Sequence, residues 1–115
     1  MSIKIDKESY LAVGAVELKA AKNRAAAKLR ILLNKHTKVI VGKSSDPANN
    51  RAAYYKKLGY KCIYIIYQSK SSTRITHLEA YLNNLYLDKL ENTNKGSAGP
   101  LSDTASWHYL YVVVK

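Results

Sequence analysis

The sequence predicts an α/β fold: a small sheet of about three strands covered by helices, in the order helix, strand, helix, strand, helix, loop, strand. Three observations predict it. Val39-Ile40-Val41, Lys61 to Tyr67 and Tyr109 to Val114 are short runs rich in β-branched residues and tyrosine, the composition of strands. Ile75, Leu78, Leu82 and Leu85 recur at helical spacing. Asp46-Pro47, Gly59 and Ser71 stand where helices would start and stop. With 115 residues, 47% of them hydrophobic, the chain is expected to fold around one ordinary core as a single domain, residues 1–115.

Asp6 reads as the N-cap of a first helix, with Glu8 favourably placed in its first turn. That helix is expected over residues 7–34 and is rich in alanine, from Ala12 to Ala27. At 1.5 Å per residue it would span about 42 Å, more than the roughly 30–35 Å width of such a domain. It is therefore expected to break near Gly14, to protrude, or to pack against a second copy. The alanines would permit close helix–helix approach, so a homo-oligomer through this helix is one expected partner.

Val39-Ile40-Val41 is the first strand, and Gly42 to Ser45 the loop after it. Asp46-Pro47 starts the second helix, because an N-cap is followed by the residue best tolerated at the first helical position. It runs to about Leu58, and Gly59 stops it. Lys61 to Tyr67 is apolar on both faces and is expected to be a central strand. Ser71, Ser72 or Thr73 caps a third helix from about Arg74 to Lys89. Glu91 to Ser106 has no clear element, and loops this long are often functional. Tyr109 to Val114 closes the chain as a strand.

The charge is high and polarised. Lys and Arg number 19 against 8 acids, a net charge of +11. Between Lys19 and Lys61 twelve bases accompany one acid, Asp46. The bases of the first two helices are expected to share one surface whose field draws polyanions: nucleic acid or a phosphorylated ligand. Tyr54, Tyr55 and Tyr60 interleave with Arg51, Lys56, Lys57 and Lys61, a pairing that suits base stacking beside phosphate contact. An acidic protein is the alternative partner.

Some classes are excluded or disfavoured. Cys62 is the single cysteine, so no internal disulfide forms, and its apolar strand makes it a packed thiol rather than a nucleophile. No stretch approaches 18 apolar residues, so no membrane partner is expected. Lys4, Asp6, Lys7 and Glu8 interrupt any apolar signal core, which points to the cytoplasm, a host cell's included if the gene is viral. Val41-Gly42-Lys43-Ser44 is not a phosphate loop, because Thr37 stands where the earlier glycine must be. Arg51-Ala52 through Leu58-Gly59-Tyr60 resembles the last helix and strand of the GNAT acetyltransferases, with the spacing one residue short.

A broader pattern covers residues 39–94. Val39-Ile40-Val41-Gly42, then Asp46-Pro47 and an arginine-bearing helix, resembles the second half of the GIY-YIG nuclease motif. Members have a strand ending in Tyr-Ile-Gly, a short loop, a helix displaying arginine, a later helix with one glutamate, and then an asparagine. The counterparts would be Arg51, Glu79, and Asn92 or Asn94. Three departures stand beside the match: Ile40 replaces the tyrosine, Asn50 occupies the usual arginine position, and no Gly-Ile-Tyr strand precedes Val39. The terminal strand Tyr109-Leu110-Tyr111 would be its permuted equivalent.

The resemblance implies metal-dependent phosphodiester hydrolysis, or a non-catalytic descendant that binds nucleic acid or nucleotide. Glu79 would hold a single Mg²⁺ through oxygen, and the cation would polarise the scissile phosphate. Arg51 would neutralise charge in the transition state. Tyr109, Tyr111 or His77 would take the proton from the attacking water. Asn94 would orient substrate, and Lys43, Arg51, Tyr54, Tyr55, Lys56 and Lys57 would contact nucleic acid.

Overall fold

The three runs of β-branched residues and tyrosine do form strands, and a fourth, shorter strand at the start of the chain joins them. The computed structural model describes residues 3–12, 17–47, 51–91, 101–102 and 104–115. The elements are β1 (Lys4–Asp6), α1 (Leu18–Lys35), β2 (Val39–Ser44), α2 (Ala52–Lys57), β3 (Cys62–Ser69), α3 (Ser72–Leu85) and β4 (His108–Val114). The expected class holds, but the sheet has four strands, in the order β1-β3-β4-β2.

The main departure is at the N-terminus. The predicted helix over residues 7–34 begins only at Leu18, after β1. Ile3 to Asp6 alternates apolar and polar, and it meets the backbone edge of β3. Lys4, Ile5 and Asp6 pair in parallel with Cys62, Ile63 and Tyr64. Past the strand, the Ala12 N–H donates to the Ile66 carbonyl at 2.8 Å. An open sheet edge offers backbone partners that helix propensity alone does not outweigh. Asp6 still caps, but it caps a turn: its carboxylate accepts from the Glu8 and Ser9 amides at 3.0 and 2.9 Å and from the Ser9 hydroxyl at 2.6 Å. Those donors, the Ser9 hydroxyl foremost, hold its pKa down to about 2.

In α1, Ala21, Ala25, Leu29 and Leu32 make one buried stripe. Ala21 and Ala25 thus pack in this chain's own core with the sheet and α3. The helix expected from Asp46-Pro47 to about Leu58 is described as α2 over Ala52–Lys57; ahead of it the Arg51 N–H donates to the Pro47 carbonyl, and the Tyr55 N–H donates to that of Arg51. Gly59, at φ +86°, ends α2. Its N–H bonds the Lys56 carbonyl while the Tyr60 N–H bonds that of Tyr55, a Schellman closure. Ser71 caps α3 by accepting the Arg74 amide at 3.1 Å. Ile75, Leu78 and Leu82 are buried on α3, whereas Leu85 is left exposed at its end.

β4 runs antiparallel between β2 and β3. One face of the sheet (Val39, Val41, Leu110, Val112, Val114) carries α1 and α3. The opposite face (Ile40, Ile63, Ile65, Tyr111, Val113) carries Tyr55 of α2 and Tyr60. A register shift between Ile65 and Tyr67 puts both Ile66 and Tyr67 into the α1–α3 layer. No helix among the described residues is long and apolar enough to cross a membrane.

Candidate functional site

The sequence resemblance points to the neighbourhood of Gly42, and the sheet register shows what that glycine does. Gly42 pairs with Tyr111 across the β2–β4 ladder. The outer end of the Tyr111 ring lies over it: a Cβ at position 42 would sit 2.5 Å from both Cζ and the hydroxyl oxygen. Tyr111 thereby leans toward the edge strand, where its hydroxyl meets that of Tyr55 at 3.0 Å. The two rings pack edge to face, 5.9 Å apart, and Tyr55 makes like contacts with Tyr54 and Tyr60.

Two charged residues act on this tyrosine pair electrostatically. Burial raises the pKa of both phenols; Arg51 pulls each down and Glu79 pushes each up. Arg51 arrives from the start of α2, and Glu79 from α3 in the other layer. Successive residues of β2 point to opposite faces, so Gly42 faces the tyrosines while Lys43 reaches α3. There the Lys43 ammonium lies 3.7 Å from Glu79 Oε1 and donates to the Thr76 hydroxyl at 3.4 Å. Glu79 is only 1% exposed. Its Oε2 and the Asn83 Oδ1 are buried without a hydrogen-bond partner among the described residues, while Asn83 Nδ2 donates to the Glu79 carbonyl at 3.0 Å. Burial raises the Glu79 pKa, and Lys43 offsets this in part.

The nominated residues therefore divide. Arg51, Glu79 and Tyr111 share one electrostatic neighbourhood. Tyr109 lies one step along the same face of β4, half-buried, and lines a cleft of about 180 Å³ with Lys7, Ser45, Asp46 and Pro47. His77 is exposed on α3. Tyr54, Lys56 and Lys57 are exposed on α2, as surface contacts require. Three of the nominated residues stand in surroundings that their local sequence does not show. Tyr111 has no exposure, and burial raises its phenol pKa. Tyr55 is a core ring, 4% exposed, and has no free face for a base. Lys43 is engaged by Glu79 rather than displayed at the surface. Asn94, with Asn92, lies outside the described residues.

Two arrangements had no local signature in the sequence. The Ser45 hydroxyl meets Nδ1 of buried His108 at 2.8 Å and accepts the Ser102 amide, joining residues more than 50 apart in the chain. The Lys43–Glu79 pair likewise depends on α3 crossing β2.

The basic residues occupy both outer sides of the molecule. No acid occurs within α1, and the single acid of α3 is the buried Glu79. Lys19, Arg24, Arg30 and Lys35 are exposed on α1, with Lys22 and Lys28 half-buried. Lys22 lies 5.0 Å from the Tyr81 ring centroid, which ties α1 to α3, and Arg74 of α3 reaches the Tyr67 hydroxyl at 3.4 Å. Across the sheet are Arg51, Lys56, Lys57 and Lys61. The expectation that the first two helices share one basic surface is therefore wrong: α1 packs with α3, and α2 covers the opposite face.

Comparison with protein-family models, with curated proteins and with solved structures gives no match to this chain.

Proposed function

We propose that this protein binds nucleic acid through its helical surfaces, on a GIY-YIG-like sheet core, as a binder rather than a catalyst. The observation that carries the reading is the outward side of the α1–α3 layer. It presents the bases of α1 and Arg74, while the only acid of the two helices is buried. The six bases of α1, with no acid among them, set up a positive field of the kind that draws polyanions. The GIY-YIG-like core is supported by the antiparallel β2–β4 pairing, which sets a tyrosine against Gly42.

The test is affinity for labelled duplex and single-stranded oligonucleotides across a salt series. Log affinity should fall linearly with log salt, with a slope of about 0.9 per phosphate neutralised on duplex DNA. A flat response, or capture of an acidic protein that oligonucleotides fail to displace, overturns the reading.

A second reading, phosphodiester hydrolysis, is favoured by the joint presence of Arg51 and Glu79 at the tyrosine pair. The Mg²⁺ it implies would need Glu79. The unpartnered Oε2 suits a hard cation, but Lys43 already neutralises this carboxylate, and burial favours its uncharged form. The residues as they stand do not fit a resident divalent cation. Plasmid nicking that requires Mg²⁺ and disappears in Glu79→Ala would establish the catalytic reading instead.

A further inference from the structure

The basic residues lie on opposite sides of one sheet, and this limits how a nucleic acid can meet them. One side is α1 with Arg74; the other is α2 with Lys56, Lys57 and, just beyond it, Lys61. On α1, Lys19 and Arg30 are eleven residues apart, about three helical turns, so they project in nearly the same direction. Both are exposed, as are Lys56 and Lys57.

The molecule measures 36 × 31 × 26 Å along its principal axes. A DNA duplex is stiff over about 50 nm, so curling one around a body this small costs more than a few surface contacts return. One straight duplex can therefore lie on only one side at a time. Two duplexes on opposite sides, held apart by a body 26 Å across its shortest axis, are separated by about three Debye lengths at physiological salt. Their mutual repulsion is largely screened, and each meets a basic surface of its own.

We propose that the protein bridges two nucleic-acid segments, one on the α1–α3 layer and one on the α2 side. This inference rests on the nucleic-acid reading above. It needs no second copy of the chain, because both surfaces belong to one molecule.

The test uses an immobilised duplex and a second, fluorescent duplex of unrelated sequence. The full-length protein is added to the first, and capture of the second is measured. Binding to a single duplex is measured in parallel by anisotropy. Two double variants remove one side each: Lys19→Glu with Arg30→Glu, and Lys56→Glu with Lys57→Glu. All four positions are exposed, so the variants should keep the native far-ultraviolet spectrum. Each should still bind a single duplex through its remaining surface, with the affinity of that surface alone. Each should lose capture of the second duplex altogether, at protein concentrations that compensate for the weaker binding. Wild-type protein that binds one duplex but captures no second, or a one-sided variant that still captures it, overturns bridging and leaves the binding reading intact. Absence of binding to any single duplex overturns the binding reading itself.

Discussion

Gly42→Ala should destabilise the protein by about 2–4 kcal/mol, although a simple propensity argument predicts a gain. Gly42 lies in a strand and has no positive φ, so alanine there would reduce unfolded-chain entropy and stabilise by roughly 0.5–1 kcal/mol. The steric term opposes this. A Cβ would sit 2.5 Å from Tyr111 Cζ and its hydroxyl oxygen, and 2.8 Å from Cε1, against an ordinary carbon contact of about 3.5–4.0 Å. The ring cannot swing aside freely, since Tyr111 has no exposure and its hydroxyl is bound to Tyr55. Overpacking of this kind costs about 1–3 kcal/mol. Breaking the buried hydroxyl pair costs about 1–3 kcal/mol more. The steric cost therefore wins. Urea unfolding followed by far-ultraviolet circular dichroism measures it. With a slope of about 1.5 kcal/mol per molar, the midpoint should fall by roughly 1.3–2.7 M. In a Tyr111→Leu background the same alanine should be neutral or mildly stabilising. A midpoint within about 0.3 M of wild type, or an equal loss in both backgrounds, would show that Tyr111 does not lie over Gly42.

Other expectations concern the buried polar groups. Tyr55→Phe and Tyr111→Phe should each cost about 1–3 kcal/mol by leaving one buried hydroxyl alone, and the double variant should cost less than the sum; strict additivity in a double-mutant cycle would refute the pairing. Glu79 has a folded pKa above its ordinary 4.5, so the folded state holds the extra proton. Its contribution to stability is then fully present below 4.5 and is lost as pH rises through the raised value. Glu79→Gln should therefore gain on wild type with rising pH between 4 and 8, and a gap that closes instead would reverse the assignment. Cys62, buried and with its thiol pKa pushed up by desolvation, should react with an aromatic disulfide reagent far more slowly in native than in unfolded protein; equal rates would place it at the surface.

Helix boundaries with local chemistry were legible. Gly59 and Ser71 act within a few residues of themselves, and each performs the predicted task. Asp6 shows where such reading stops. Its side chain does cap the following amides, yet the chain around it joins β3, because the edge of a strand some 60 residues away supplies the partners. Of the nominated site, Arg51 and Glu79 could be picked from residue type and spacing. That Tyr111 is a core ring and Lys43 a half-buried partner of Glu79 could not, since both follow from strand register and from the crossing of α3 over β2.

By itself the sequence determined the α/β class, the strands and helices with strong local signals, the chemical character of Cys62, and the excess of positive charge. These depend on composition, periodicity and contacts between near neighbours. Only the tertiary structure decided that the terminal strand lies at the centre of the sheet, that a fourth strand forms, and that the basic helices stand on opposite sides. Layer assignment depends on which face of a strand each helix covers, and that is set by pairing between residues far apart in the chain.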